Sequence, residues 1–247
     1  MSGAEYFLEV RNIYKGFGHV MALNGVSMQA AQGEILAIVG DNGAGKSTLI
    51  KILSGVLVPD AGEIVIDGKP YAAMTPKAAL KAGISTVYQD LALANSRDVA
   101  ANIFLGRELT KRGFLNNKSM YVQAEQLIRD LGIAIPDVRM PVAVLSGGQR
   151  QGVAVARAVH QGGKFFIFDE PTAAMGLTET ATVMGLIKKL AKEGFGVIII
   201  SHNLPQVFEI SHRICVMRHG KVVGMVKTAD TAIGEIVAMI TGAVNIS

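Results

Sequence analysis

The sequence predicts an α/β fold. A mostly parallel sheet is covered by helices on both faces, and an all-helical stretch interrupts it. Three observations carry this. Apolar runs of strand length (I-L-A-I-V at 35–39, F-F-I-F at 165–168, V-I-I-I at 197–200) have no polar face, the pattern of strands buried on both sides. The first leads through a glycine-rich loop into a helical pattern, T-L-I-K-I-L-S-G. From about residue 95 to 160, strand-like runs give way to helical spacing.

A chain of 247 residues suffices for one large domain or two small ones. Half of the residues are hydrophobic, yet no apolar run approaches the roughly 20 residues that span a bilayer. The opening M-S-G-A-E-Y-F-L-E-V lacks a basic region and a long apolar stretch, so no secretory signal is expected. The single cysteine, Cys215, excludes an intrachain disulfide and fits a reducing compartment. It lies in I-C-V-M and reads as a core thiol. A net charge of +4, not clustered, gives no ground for a nucleic-acid partner. No internal repeat or low-complexity segment is present.

In chain order, residues 6–13 partly alternate and read as a strand, with Tyr14 and Phe17 in a following loop. Either ring could pack on the sheet edge or stack on a nucleotide base, and the residues alone do not choose. Gly33 then leads into the central strand. After it comes G-D-N-G-A-G-K-S-T: Gly40, Asp41, Asn42, Gly43, Ala44, Gly45, Lys46, Ser47 and Thr48. This contains G-x-x-x-x-G-K-S, the phosphate-binding loop. Gly40, Gly43 and Gly45 let the backbone curl until successive N–H groups face one concavity. The concavity sits at a helix N-terminus, where orphan donors and the macrodipole favour an anion. Lys46 supplies a point charge for the β- and γ-phosphates, and Ser47 a hydroxyl for Mg²⁺.

Residues 63–66 form a strand before the Asp67-Gly68 turn. Thr75 to Ala82 reads as a short helix with Pro76 in its first turn. Residues 84–88 form a strand that ends at Gln89. A polar residue at the carboxyl end of a strand in an open α/β sheet points into the ligand crevice, so Gln89 is a site candidate; an exposed loop amide is the plainer reading.

In the helical stretch, Met120, Ala124, Leu127, Ile128 and Leu131 lie at helical spacing. The stretch ends with L-S-G-G-Q at 145–149 and an Ala/Val-rich helix. Ser146 is a preferred N-cap, and Gly147 and Gly148 expose the first N–H groups of that helix. A helix cap without a ligand explains these residues, and so does a second anion nest. With two phosphate-binding halves about a hundred residues apart, a head-to-tail pair could close each nucleotide between the loop of one copy and the nest of the other.

Residues 164–170, K-F-F-I-F-D-E, run into two carboxylates. At the end of such a strand Asp169 would hold Mg²⁺, and Glu170, one residue on, points toward the place of an attacking water. Thr178 with Glu179 begins the next helix, whose apolar stripe is Val183, Leu186, Ile187 and Leu190 and which Gly194 ends. The strand V-I-I-I ends at Ser201-His202, where the histidine reaches the crevice and can bond a phosphate oxygen. His19, His160, His212 and His219 read as surface or packing residues.

The ordered set G-D-N-G-A-G-K-S-T, V-Y-Q-D, L-S-G-G-Q, F-F-I-F-D-E-P-T and I-I-S-H resembles the nucleotide-binding domain of ATP-binding cassette (ABC) proteins, from about Leu8 to Gly224. The resemblance implies a P-loop NTPase (RecA-like) core with an N-terminal antiparallel β subdomain and an inserted α-helical subdomain. The division would be 1–92 and 161–247 for the core with its β subdomain, and 93–160 for the insertion that carries the signature. It implies ATP and Mg²⁺ as ligands and ATP hydrolysis as the activity. Phe17 would stack on adenine. Gln89 would contact Mg²⁺ and sense a membrane partner. Ser146, Gly147, Gly148 and Gln149 would grip the γ-phosphate of the opposite subunit. Glu170 would be the catalytic base and His202 the switch histidine, with Lys46 stabilising charge and Ser47 and Asp169 holding the metal.

Within the family, D-E-P-T-A-A-M-G-L-T-E followed by S-H-N-L resembles the ATPases of bacterial monosaccharide importers of ribose, fructose or xylose type. Gly176 stands where most of the superfamily has an Asp, and the sugar-importer branch often has Gly there too. Many such importers fuse two cassettes; with one cassette here, a homodimer in the ATP-bound state is expected. The implied partners are transmembrane permease subunits and, through them, a periplasmic or extracellular sugar-binding protein. The implied place is the cytoplasmic face of the membrane, with no nucleic acid bound. Two rivals are a soluble ABC ATPase acting on ribosomes or DNA and a non-hydrolysing nucleotide switch. The first usually carries two cassettes or coiled-coil arms, the second usually loses the Glu or the signature, and this chain fits neither pattern.

Overall fold

The computed structural model describes residues 6–173 and 175–243. Residues 1–5, part of the stretch read for a leader, and Ala174 of D-E-P-T-A-A-M-G lie outside the described residues. The chain opens with strands β1 (Leu8–Phe17), β2 (Val20–Ala30) and β3 (Ile35–Val39), then helix α1 (Lys46–Leu53). Next come β4 (Ala61–Ile66), β5 (Lys69–Tyr71), α2 (Pro76–Lys81) and β6 (Ile84–Val87). The middle holds α3 (Val99–Ile103), β7 (Thr110–Lys111), β8 (Phe114–Leu115), α4 (Asn117–Leu131) and α5 (Gly147–His160). The chain continues with β9 (Phe165–Asp169), α6 (Leu177–Lys192), β10 (Gly196–Ile200) and α7 (Leu204–Ile210). It closes with β11 (Arg213–Arg218), β12 (Lys221–Lys227) and α8 (Ile233–Thr241).

Two sheets result. An antiparallel one has the order β2-β1-β4-β5, and a six-stranded one has the order β12-β11-β3-β10-β9-β6. The latter is parallel except for β12, which pairs antiparallel with β11. Its central strands β3 and β10 are buried along their whole length. Their side chains alternate between two cores, as the period of two requires. Leu36, Ile38, Ile198 and Ile200 face the antiparallel sheet and α1; Ala37, Val39, Val197 and Ile199 face the helices. Phe165 stacks on Phe7 with ring centroids 5.6 Å apart, and Phe166 meets Phe195 edge-on at 5.3 Å. Each fully buried phenylalanine contributes about 1.5–3 kcal/mol of transfer free energy.

Four expectations are corrected. Helices do not cover both faces of the six-stranded sheet: one face packs on the antiparallel sheet together with α1. The loop expected after residue 13 is the end of β1, because Tyr14 to Phe17 pair with Asn24 to Val20 in a hairpin. Tyr14 packs against Gly25, whose missing Cβ leaves room for the ring. The middle stretch is not free of strands: β7 and β8 form a two-residue hairpin, too short to show an alternation. The helix after the carboxylate pair starts earlier, with Gly176 as an N-cap that has no side-chain bond. Elsewhere the local signals operate as read. Thr75 caps α2 with Pro76 in its first turn, and Gly194 follows α6 with φ +92°.

The parallel register positions the site. Ile38 lies beside Ile200, Ile200 beside Asp169, and Val87 beside Phe168. The residues that follow β3, β6, β9 and β10 therefore emerge together along one edge, the carboxyl edge where open α/β sheets bind ligands.

Candidate functional site

The loop after β3 is shaped by positive-φ glycines and close approach. Gly40, Gly43 and Gly45 have φ of +153°, +82° and +99°, conformations that side chains rarely allow. A Cβ on Gly40 would run into the carbonyl oxygen of Met217, and one on Gly45 would lie 2.5 Å from the carbonyl oxygen of Ala22. Gly45 caps α1 with no side-chain bond, so the first turn of α1 offers its N–H groups outward. Lys46 folds back over the loop and donates to the carbonyls of Gly40 at 2.6 Å and Asp41 at 2.9 Å. Burial lowers its pKa, and the charges of Glu170, Asp41 and Asp169 pull it up. Ser47 is exposed beside it.

The ends of β9 and β10 place two carboxylates beside one imidazole. The Asp169 pKa is raised, first by burial and then by the charge of Glu170, against the pull of Lys46 and Lys51. Glu170 takes φ +49°, a left-handed conformation that costs roughly 1–3 kcal/mol in a non-glycine residue. Its N–H donates to the carbonyl of Ile200 at 2.9 Å, which fixes the turn against β10. Its Oε1 lies 3.0 Å from Nδ1 of His202, whose ring is otherwise exposed. Gln89, exposed at the end of β6, lines a cavity of about 430 Å³ together with Gly147, Arg150, Glu170 and Glu179.

Residues 145–149 form a helix cap in detail. The Ser146 hydroxyl accepts from the N–H of Gln149 at 3.3 Å, and the Gln149 Oε1 accepts from the N–H of Ser146 at 3.0 Å. The Gln149 amide also donates to the carbonyl of Ala134 at 2.7 Å, so its side chain serves the cap. The N–H of Gly147 donates to Glu179 Oε1 at 2.8 Å. Glu179 thus reaches across from α6; its sequence position signalled only a helix start.

The structure brings Lys46, Asp41, Asp169, Glu170 and His202 together, and Gln89, Glu170 and Gly147 along one cavity. Phe17 stands apart from them, half exposed at the hairpin tip with Lys15 Nζ 5.7 Å from its ring. Among the described residues no group of three or more His, Cys, Asp and Glu is placed to hold a metal ion by itself. Mg²⁺ takes one or two carboxylates with phosphate oxygens and water, so the all-oxygen set of Ser47, Asp169 and Gln89 fits it. Two more residues escaped the sequence reading, Glu179 and Arg157; the latter donates to the carbonyls of Leu91 and Ala92. Glu179 ends the quoted stretch D-E-P-T-A-A-M-G-L-T-E but signalled no contact there, and only tertiary packing shows what either side chain touches.

A family model described as ABC transporter matches residues 23–173. The xylose/arabinose import ATP-binding protein XylG of Sulfolobus acidocaldarius is 48% identical over 234 residues, 95% of this chain and 93% of that protein. The fructose import ATP-binding protein FrcA of Rhizobium meliloti is 44% identical over 97% of this chain and 95% of its own. The ribose import ATP-binding protein RbsA 2 of Escherichia coli O157:H7 is 45% identical over 95% of this chain but only 46% of its own length. Among solved structures, cbiO1 from Clostridium perfringens, part of the ABC transporter complex cbiONQ, aligns with a TM-score of 0.80 at 28% identity. That alignment covers 97% of this chain and 95% of that one.

Proposed function

We propose that this chain, which belongs to the ABC transporter family of ATP-binding cassettes, hydrolyses ATP to drive uptake of a monosaccharide through a membrane permease. The observation that carries this is the shared carboxyl edge, where the loop after β3, Gln89, Asp169, Glu170 and His202 emerge from four neighbouring strands. The relatives named above import pentoses, fructose and ribose, so a monosaccharide is the substrate class their names support. A soluble ATPase acting on ribosomes or DNA is not favoured, since these relatives are import proteins.

In this reading ATP sits with its phosphates in the loop from Gly40 to Thr48 and its base on Phe17. Lys46 leaves the carbonyls of Gly40 and Asp41 for the β- and γ-phosphates, an exchange of neutral acceptors for charged ones. Ser47, Asp169 and Gln89 would hold Mg²⁺, which supplies charge neutralisation of the phosphates. Glu170 orients water for in-line attack, and His202, bonded to it, faces the terminal phosphate. A second copy brings Ser146, Gly147 and Gly148 to that phosphate from the opposite side, so the chain acts as a homodimer. In each copy residues 93–160 dock on the permease near Gln89, and the permease in turn receives sugar from a binding protein. The chain then sits on the cytoplasmic face of the membrane; among the described residues no helix is long and apolar enough to cross it.

The test is Glu170→Gln. Phosphate release should fall by about 10²–10⁴-fold while ATP binding persists, and ATP should now trap a stable dimer. Undiminished hydrolysis would remove Glu170 from this role.

A further inference from the structure

Arg157 lies on α5, eleven residues beyond Ser146, so the two ends of this contact path are about 16 Å apart along one helix. Its guanidinium donates through Nη2 to the carbonyl of Leu91 at 2.7 Å and through Nη1 to that of Ala92 at 3.0 Å. The residue is half-buried, and among the described residues no carboxylate forms an ion pair with it. Two carbonyl dipoles therefore stand in for a counter-charge. The fork geometry of arginine suits two successive acceptors, where a lysine ammonium is a single point. The held segment is strained, since Ala92 takes φ +47°.

Gln89 lies between this grip and a second anchor. On its N-terminal side, β6 pairs with β9, and the Tyr88 hydroxyl donates to Ser54 Oγ at 2.8 Å. On its C-terminal side, Arg157 holds Leu91 and Ala92. Only Gln89 and Asp90 span the gap. A span this short has little freedom once both ends are fixed.

We propose that Arg157 is a positioning residue for hydrolysis: it holds the segment after Gln89 so that this amide stays beside Glu170, and it ties that placement to the helix that begins at Ser146. The inference rests on the ATPase reading above and adds to it a residue that acts through the backbone of Leu91 and Ala92. Rotation of α5 as a unit moves Leu91 and Ala92 with it, so the state of the signature helix reaches Gln89 by two hydrogen bonds.

The test is a double-mutant cycle on the full chain with ATP and Mg²⁺, comparing Arg157→Gln, Gln89→Ala and the pair. Arg157→Gln should lower kcat about tenfold and leave KM for ATP within about twofold. In the Gln89→Ala background the same substitution should cost less than about twofold, because the residue it acts through is gone. A general packing defect would instead cost the same factor in both backgrounds, and that result overturns the proposal. A Gln89→Ala protein as fast as the unaltered chain overturns it too, while hydrolysis by the unaltered chain leaves the proposed function standing. Should Arg157→Gln not fold, Arg157→Lys, which keeps the charge and the stem, carries the same comparison with a smaller factor.

Discussion

The Nδ1 atom of His202 lies 3.0 Å from Oε1 of Glu170, although the two residues follow different strands and are 32 positions apart in the chain. The contact follows from register. Asp169 lies beside Ile200, so the residue after the first strand and the residue two after the second meet at one edge. The histidine ring is 77% exposed, so this bond rather than packing holds the ring in place. His202→Ala should lower kcat by about 10²-fold and leave the melting temperature nearly unchanged. Steady-state phosphate release and thermal melting check the two halves of this expectation.

Asp169 should trade stability for activity. Its folded pKa lies above the ordinary value because burial and the charge of Glu170 disfavour ionisation. An ionised carboxylate of this kind costs stability above its folded pKa, and the cost is relieved as pH falls through that value. Asp169→Asn should raise the melting temperature of the nucleotide-free chain by about a degree near neutral pH, half-exposure keeping the effect small. The gain should shrink on acidification into the carboxylate range. The same variant should lose hydrolysis by about 10²-fold or more.

The glycines of the phosphate loop are not equivalent. Gly40→Ala places a methyl against the Met217 carbonyl in addition to its positive φ, whereas Gly43 has open space around its absent Cβ. Gly40→Ala should cost about 3 kcal/mol or more, and Gly43→Ala about 1–2 kcal/mol from the backbone alone. Denaturant melts of both variants, read beside ATP binding, separate a collapsed loop from a merely strained one.

Tyr14 and Phe17 should divide their work. Tyr14 fills the space over Gly25, and Phe17 projects half exposed from the hairpin tip. Phe17→Ala should raise KM for ATP several-fold, as the loss of about 1 kcal/mol of ring stacking would, with an unchanged melting temperature. Tyr14→Ala should lower the melting temperature and leave KM near its original value. The opposite pattern would exchange their roles.

Cys215 should be chemically silent. Burial pushes its thiol up to about 12, and no part of the side chain reaches solvent. A thiol reagent at neutral pH should label it only after denaturant unfolds the chain, a comparison that reads out directly on one cysteine.

The sequence by itself determined the elements that carry their own local physics. Fully apolar runs named the buried strands, and G-x-x-x-x-G-K-S between strand and helix named the phosphate loop, because backbone freedom and orphan N–H groups are properties of neighbouring residues. Ser146 and Thr75 announced their helices for the same reason. The hairpin that absorbs Tyr14 and Phe17, and the short β7–β8 pair, were illegible because pairing, not pattern, makes them strands. Only the tertiary structure decided which side chains act on one another. Glu170 against His202, Glu179 on the N–H of Gly147, and Arg157 on the carbonyls of Leu91 and Ala92 join residues 32 to 66 positions apart. Such contacts depend on strand register and helix packing, and no local spacing encodes them.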